Sequence, residues 1–230
     1  SPRPATPREL ASVIHNLLSR IDRCTEPAGV RLEATGVNHY VSSAEIGLRS
    51  YTERYMKMQA HFDAIGPYGR EMMRRTAALQ VCVDLLPGEA GLEQWRVLNL
   101  AGPALTAAFT TSDQGSLSRS RIWMGVDPTR TGLDGRHLRR DPIDGYVEFA
   151  KHAEAIPLDF QRSCAGPFRT PLEEWVRQST ARPDQEDVRH HLSTLFPPVR
   201  PRGAYLEVRY LDAMPWPRLM VPVYVLATLA

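Results

Sequence analysis

A chain of 230 residues can hold one large domain or two small ones and can bury a substantial core. Hydrophobic residues at 43% and charged residues at 23% read as an ordinary soluble globular composition. The net charge of +2, from 28 Lys+Arg against 26 Asp+Glu, gives no electrostatic case for a nucleic acid or an acidic membrane surface as partner.

Thr6-Pro7-Arg8-Glu9 is a helix start, with Thr at the N-cap, Pro in the first turn and Glu three residues on. Leu10, Val13, Ile14, Leu17, Leu18 and Ile21 then repeat at helical spacing, and Glu26-Pro27 ends the run. Val30-Arg31-Leu32 reads as a short strand and residues 38–50 as loop. A second helix is expected over about 49–64, closed by Gly66-Pro67. Leu79, Val81, Val83 and Leu85 alternate with Ala78, Gln80, Cys82 and Asp84, a strand whose second face is polar but small and suits a cavity lining. A helix over about 90–109 is apolar nearly all round and should be buried. Residues 110–142 read as a long loop of the kind that often carries function.

A helix near 142–153 and a strand around Pro157–Arg162 follow. Thr170-Pro171-Leu172-Glu173 opens another helix through Trp175, and Asp184 caps one through Leu192. FPPVRPRG then breaks the chain ahead of a strand over RGAYLEVRYLD, residues 202–212, and 219–230 reads as a buried helix despite Pro222. With no internal repeat or low-complexity linker, the pattern is one α+β domain.

On the strand at 202–212, Tyr205, Glu207 and Arg209 share one face, and Leu206, Val208 and Tyr210 take the other. A carboxylate and a guanidinium on one side of an apolar, central strand have two readings. One is a structural ion pair with neighbouring strands. The other is a metal ligand beside a cation that neutralises a transferring phosphoryl group. His190-His191 lies on a helix, where adjacent residues diverge by about 100°, so packing or capping is expected rather than shared metal ligation. Cys82 reads as a small buried thiol in preference to a substrate contact. Cys24, Cys82 and Cys164 form neither CxxC nor zinc spacing, which makes a reduced cytoplasmic protein the default. No apolar run reaches the ~20 residues of a membrane span, and no signal peptide is visible. P-loop, Rossmann and GxSxG motifs are all absent.

Three ordered stretches resemble the plant-type glutamate–cysteine ligases, including the actinobacterial branch that feeds ergothioneine synthesis. The first carries Met72, Met73, Arg75, Thr76, Gln80, Val81 and Asp84; the second Arg119, Ile122, Trp123, Asp127, Arg130, Thr131 and Gly132. The third runs from His191, Leu192, Thr194, Phe196, Pro197, Val199 and Arg200 to Tyr205, Leu206, Glu207, Arg209 and Asp212. The resemblance implies a glutamine-synthetase-like fold, a curved and largely antiparallel sheet with flanking helices. It also implies an ATP-dependent reaction of L-glutamate with L-cysteine, with ATP as co-substrate and Mg²⁺ as cofactor. Glu207 would then be the metal ligand and Arg209 the catalytic cation. Arg119 would bind an amino-acid carboxylate, and Arg75, Thr76 and Gln80 would line the glutamate pocket, with Arg130, Cys82 and Tyr205 nearby.

Departures accompany the match. The family's acidic strand, which supplies further Mg²⁺ ligands, would precede Ser1, so the chain is expected to be an incomplete portion of the catalytic domain. The segment around Ser112–Ser118 is shorter than the family's glycine-rich loop, and Asp159 stands where plant members carry a tyrosine near the substrate. A carboxylate–amine ligase with another acceptor, and a non-catalytic binding relative, are the alternative readings.

Overall fold

A computed structural model describes residues 5–112, 117–156, 169–178 and 182–230. In chain order the described elements are α1 (Pro7–Thr25), α2 (Ser43–Ile46), α3 (Glu53–Ile65), α4 (Tyr68–Arg75), β1 (Ala78–Asp84) and α5 (Gly88–Ala108). They continue through α6 (Arg119–Val126), α7 (Pro128–Thr131), α8 (Pro142–His152), α9 (Leu172–Gln178) and α10 (Gln185–Ser193). The carboxyl-terminal part is β2 (Val199–Pro201), β3 (Tyr205–Asp212) and α11 (Trp216–Leu229). The described strands form one antiparallel sheet in the order β1-β3-β2, so β3 is central as its apolar content predicts.

One sheet face is the core. Val81, Leu206, Val208 and Leu211 pack with Trp95 and Leu98 of α5 and with Val223 and Leu226 of α11. The ladder slips between Leu79 and Val81, so Arg209 and Tyr210 together oppose Gln80. This bulge restores Leu211 to the apolar face and turns Asp212 to the opposite one. Asp212, buried, accepts from Thr111 N at 2.9 Å, Ser112 N at 3.1 Å and Ser112 Oγ at 2.5 Å, and so fastens the chain leaving α5 to the end of β3. A second core joins Met58 and Phe62 of α3, Met72 of α4, and Ile122 and Val126 of α6.

Several sequence expectations hold. Thr6 and Glu9 close a reciprocal capping box on α1, and Asp184 with Asp187 closes another on α10. Others need correction. Val30–Leu32 lies outside any strand and is exposed. The stretch 110–142 holds α6 and α7, because Ser118 caps the first through Arg121 N and Asp127 the second through Thr129 N. Its polar composition reflects these caps rather than loop. FPPVRPRG contains β2, where Pro201 is tolerated because the strand lies at the sheet edge. The helix expected over 90–109 forms but is buried on one side only, with Leu100 48% exposed. The strand expected at Pro157–Arg162 lies outside the described residues.

His191 illustrates the packing role expected of the histidine pair. It is fully buried, its Nε2–H donates to the Ala150 carbonyl at 2.8 Å, and burial pushes its pKa down to about 4. Burial also depresses His137 and His190. An unfolded histidine titrates near 6.5, so below that pH the unfolded chain binds protons that the folded chain refuses. The stability these groups confer is whole above pH ~6.5 and is lost as pH falls towards 4. Guanidinium midpoints should therefore drop steeply between pH 7 and 4, and His191→Gln should flatten that drop. Equal slopes in the two proteins would remove His191 as the cause.

Candidate active site

The polar face of the sheet collects the residues that the motifs single out. Opposite one another across it stand Cys82, Glu207 and Arg200, with Asp84 beside Tyr205 at one end. Glu207 Oε2 accepts from Arg200 Nε at 2.8 Å and Arg209 Nη1 at 2.9 Å, with Arg200 Nη2 in ion-pair contact at 2.7 Å. Gln80 completes the group, its amide nitrogen 3.3 Å from Glu207 Oε1 and its amide oxygen 3.2 Å from Arg209 Nη1. Burial works against ionisation of Glu207, but the Arg209 and Arg200 guanidiniums outweigh it and hold the carboxyl below its usual range. Burial, and then the neighbouring Arg200, lower Arg209. Alternation places these polar groups opposite the core, and the pairing of β1 with β3 brings together residues 121 or more positions apart.

Arg200 is the residue that the sequence reading missed. Its signal was present: on an edge strand registered with β3, an Arg directly across from a Glu is a cross-strand pair. Cys82 was expected buried and is exposed, because β1 is an edge and nothing described covers its polar face. Burial and the Glu207 charge raise its pKa, so it stays a neutral thiol. Tyr205 is likewise partly exposed on this face.

Beyond the bulge a cavity of about 820 Å³ opens between α5, α6, α7 and the 196–198 segment, with Arg209 and Tyr210 in its wall. Arg119 lines it. Both of its terminal nitrogens are engaged, donating to Arg209 O at 2.9 Å and Tyr210 O at 3.3 Å, carbonyls that the bulge leaves outside the regular ladder. Arg119 thus braces the segment that carries Arg209. Burial lowers its pKa to about 10. Three buried donors in this wall, Arg119 Nε, Arg209 Nε and Trp123 Nε1, have no partner among the described residues. Arg209 also lies over the Phe196 ring at 5.7 Å.

The remaining motif residues sit elsewhere. Arg75 donates to Glu71 Oε2 at 2.7 Å and to the Asn38 carbonyl at 2.8 Å, and Thr76 Oγ1 donates to Met72 O at 2.7 Å. Their hydrogen bonds hold the α4–β1 junction and do not join the Glu207 cluster. Arg130, expected near a substrate, is fully buried. It donates to Asp127 Oδ2 at 2.6 Å, to Thr194 Oγ1 at 3.0 Å and to the Glu154 carbonyl. His61, Asp127 and Glu154 bring ligand-type atoms within 4.8 Å of one another. Arg130, His61 and Thr129 already fill both Asp127 oxygens, so the triad is a hydrogen-bonded core rather than an open cation site. Asp159 lies outside the described residues.

An acid held between two arginines, beside a roomy cavity with unpaired donors, is the local chemistry of a site for anionic substrates. Consistent with that, the model of glutamate–cysteine ligase family 2 matches residues 2–230, and the chain belongs to this family. It is 34% identical over 198 residues to the glutamate–cysteine ligase EgtA of Mycolicibacterium smegmatis, covering 76% of this chain and 44% of that protein. It is also 32% identical over 181 residues to the chloroplastic glutamate–cysteine ligase of Arabidopsis thaliana, covering 72% and 34%. The chain spans less than half the length of the curated relatives it matches. No helix among the described residues is long and apolar enough to cross a membrane.

Proposed function

We propose that the chain carries one wall of a glutamate–cysteine ligase site. In this reading ATP transfers its γ-phosphoryl group to the glutamate side-chain carboxylate, giving γ-glutamyl phosphate and ADP. The cysteine amine then attacks the acyl carbon and expels phosphate. The observation that carries the reading is the Glu207–Arg200–Arg209–Gln80 cluster on the polar face of the central strand. The small antiparallel sheet would be part of a larger glutamine-synthetase-like wall, and the product would feed ergothioneine synthesis in a cytoplasmic setting.

Each residue then has a task. Arg209 and Arg200 place positive charge where the transferring group and the tetrahedral intermediate become more negative. The cavity beside Arg209 accepts the amino acids. Glu207 fits Mg²⁺ through Oε1, which takes only the 3.3 Å amide contact, because that ion is commonly held by one or two carboxylates plus substrate phosphates. Magnesium bound there would neutralise phosphate charge. Cys82, a neutral thiol, acts at most as lining.

The test is direct. The polypeptide containing these residues, supplied with glutamate, cysteine and MgATP, should release ADP and γ-glutamylcysteine in equal amounts. Product with other amines but not with cysteine would shift the reading to a different acceptor. Ligand-induced stabilisation without ADP release would make the protein a binding relative.

A further inference from the structure

A bulge bends its strand and re-aims the side chains it carries, so the direction of Arg209 depends on what holds the bulge from outside the ladder. Arg119 is that holder, since its fork takes the carbonyl oxygens of both bulged residues, Arg209 and Tyr210. Arg119 is itself placed by two further groups. The Ser112 hydroxyl donates to Asp212 Oδ2 at 2.5 Å and accepts from Arg119 N, the first N–H of α6, at 3.0 Å. Asp212 Oδ1 lies 3.8 Å from Arg119 Nη1.

Asp212 stands two residues past the bulge and is 3% exposed. Its polar partners among the described residues are all donors: Thr110 Oγ1, Thr111 N, Ser112 N and Ser112 Oγ, with the Arg119 cation beside them. The backbone at Gly36 closes a further side, where a Cβ would fall 2.3 Å from Asp212 Oδ2. Fastening the end of α5 to β3 needs only the two backbone N–H groups. The hydroxyl relay to α6 and the nearby guanidinium exceed that need. The charges agree: Asp212 favours the charged form of the buried Arg119, which Arg209 opposes.

We propose that Asp212 is a positioning residue for Arg209. Through Ser112 and Arg119 it fixes the bulge, and so the direction in which Arg209 presents its guanidinium to Glu207 and the cavity. Asp212 is not in the cavity wall and acts only through its neighbours. The linkage stands on these contacts alone, whereas its consequence for turnover rests on the ligase reading.

Asp212→Asn and Ser112→Ala test it, by proton–nitrogen NMR of the 230-residue chain and by turnover of the polypeptide containing it. Asparagine matches the size of Asp212, but either orientation turns its NH₂ group towards donors or a cation. Ser112→Ala keeps the charge and deletes only the relay hydroxyl. In both variants the Arg209 Nε–H resonance should move, and amides 209–211 should exchange about tenfold or more faster relative to those of α3 and α10. Turnover should lose about tenfold or more in kcat, with KM for glutamate changed by less than about threefold. Thr6→Ala, which removes the α1 cap and lowers Tm, should do none of this. If Asp212→Asn does not fold, Ser112→Ala decides. An unmoved Arg209 resonance, acceleration spread evenly over the molecule, or the same response in Thr6→Ala would each overturn the linkage. The two readings fail separately. A moved resonance without turnover in the wild-type protein leaves the linkage and removes the ligase; full kcat in both variants keeps the ligase and removes the positioning role.

Discussion

Glu207→Gln is expected to lower ATP-dependent γ-glutamylcysteine formation by about a thousandfold while leaving the protein folded. The substitution keeps the size and one acceptor oxygen of the side chain but removes the charge that two guanidinium groups share at Oε2. Arg200 and Arg209 would then stand beside each other without their common anion. The stability cost should stay near 1–3 kcal/mol, because the remaining amide oxygen still accepts a hydrogen bond and the cluster is partly open to water. Thermal unfolding separates this from collapse of the fold: Tm should fall by a few degrees, whereas turnover should vanish. The acid side supplies a further check. The folded carboxyl titrates below its ordinary value, so the stability it contributes is present above pH ~4.5 and is lost as pH falls through its depressed pKa. In the variant that component of the acid transition should be missing. Near-normal turnover in Glu207→Gln would remove Glu207 from the chemistry.

Arg130→Met is expected to give the largest loss of stability in the molecule. The side chain is 0% exposed and joins α7, the 153–155 segment and the end of α10 through Asp127, the Glu154 carbonyl and Thr194. Methionine fills similar volume but supplies no donor, which leaves the buried Asp127 carboxylate with its Thr129 and His61 contacts and no guanidinium partner. Breaking a buried pair by removing one partner costs about 3–5 kcal/mol. Arg130→Lys should recover little, since one ammonium cannot reach three separated acceptors. Chemical denaturation reads the result. A loss below about 1 kcal/mol would show that water enters and solvates Asp127, contrary to the packing described here.

Local signals in the sequence carried much of this fold. The capping boxes at Thr6 and Asp184 and the alternation through β1 and β3 require only neighbours in the chain, and those elements formed where expected. The errors share a cause. Ser118 and Asp127 resemble loop residues in composition, and only the backbone N–H groups that they cap show that short helices follow. Arg130 and Arg209 are alike in sequence context, each a few positions from an acid. Tertiary packing buries one under Phe62 and leaves the other in a cavity wall. Burial of a charged residue is set by what folds over it, and two of the groups over Arg130, Phe62 and Thr194, come from more than 60 positions away. Arg200 lies only seven positions from its partner Glu207, but the pair forms only because β2 is a strand in a stretch read as a chain break. The bulge at Arg209–Tyr210 left no turn or glycine signal, yet it creates the exposed carbonyls that Arg119 holds.

The ligase reading requires Glu207 on the middle strand to serve a bound metal through Oε1 while Arg200 and Arg209 meet the nucleotide phosphates. A crystal structure of the polypeptide with glutamate, Mn²⁺ and a non-hydrolysable ATP analogue tests it most directly, since the anomalous signal locates the ion independently of the phosphates. The account predicts the ion at about 2.1 Å from Glu207 Oε1, with phosphate oxygens against Arg200 and Arg209. An ion and nucleotide bound elsewhere, with Glu207 still held between the same two arginines, would contradict it.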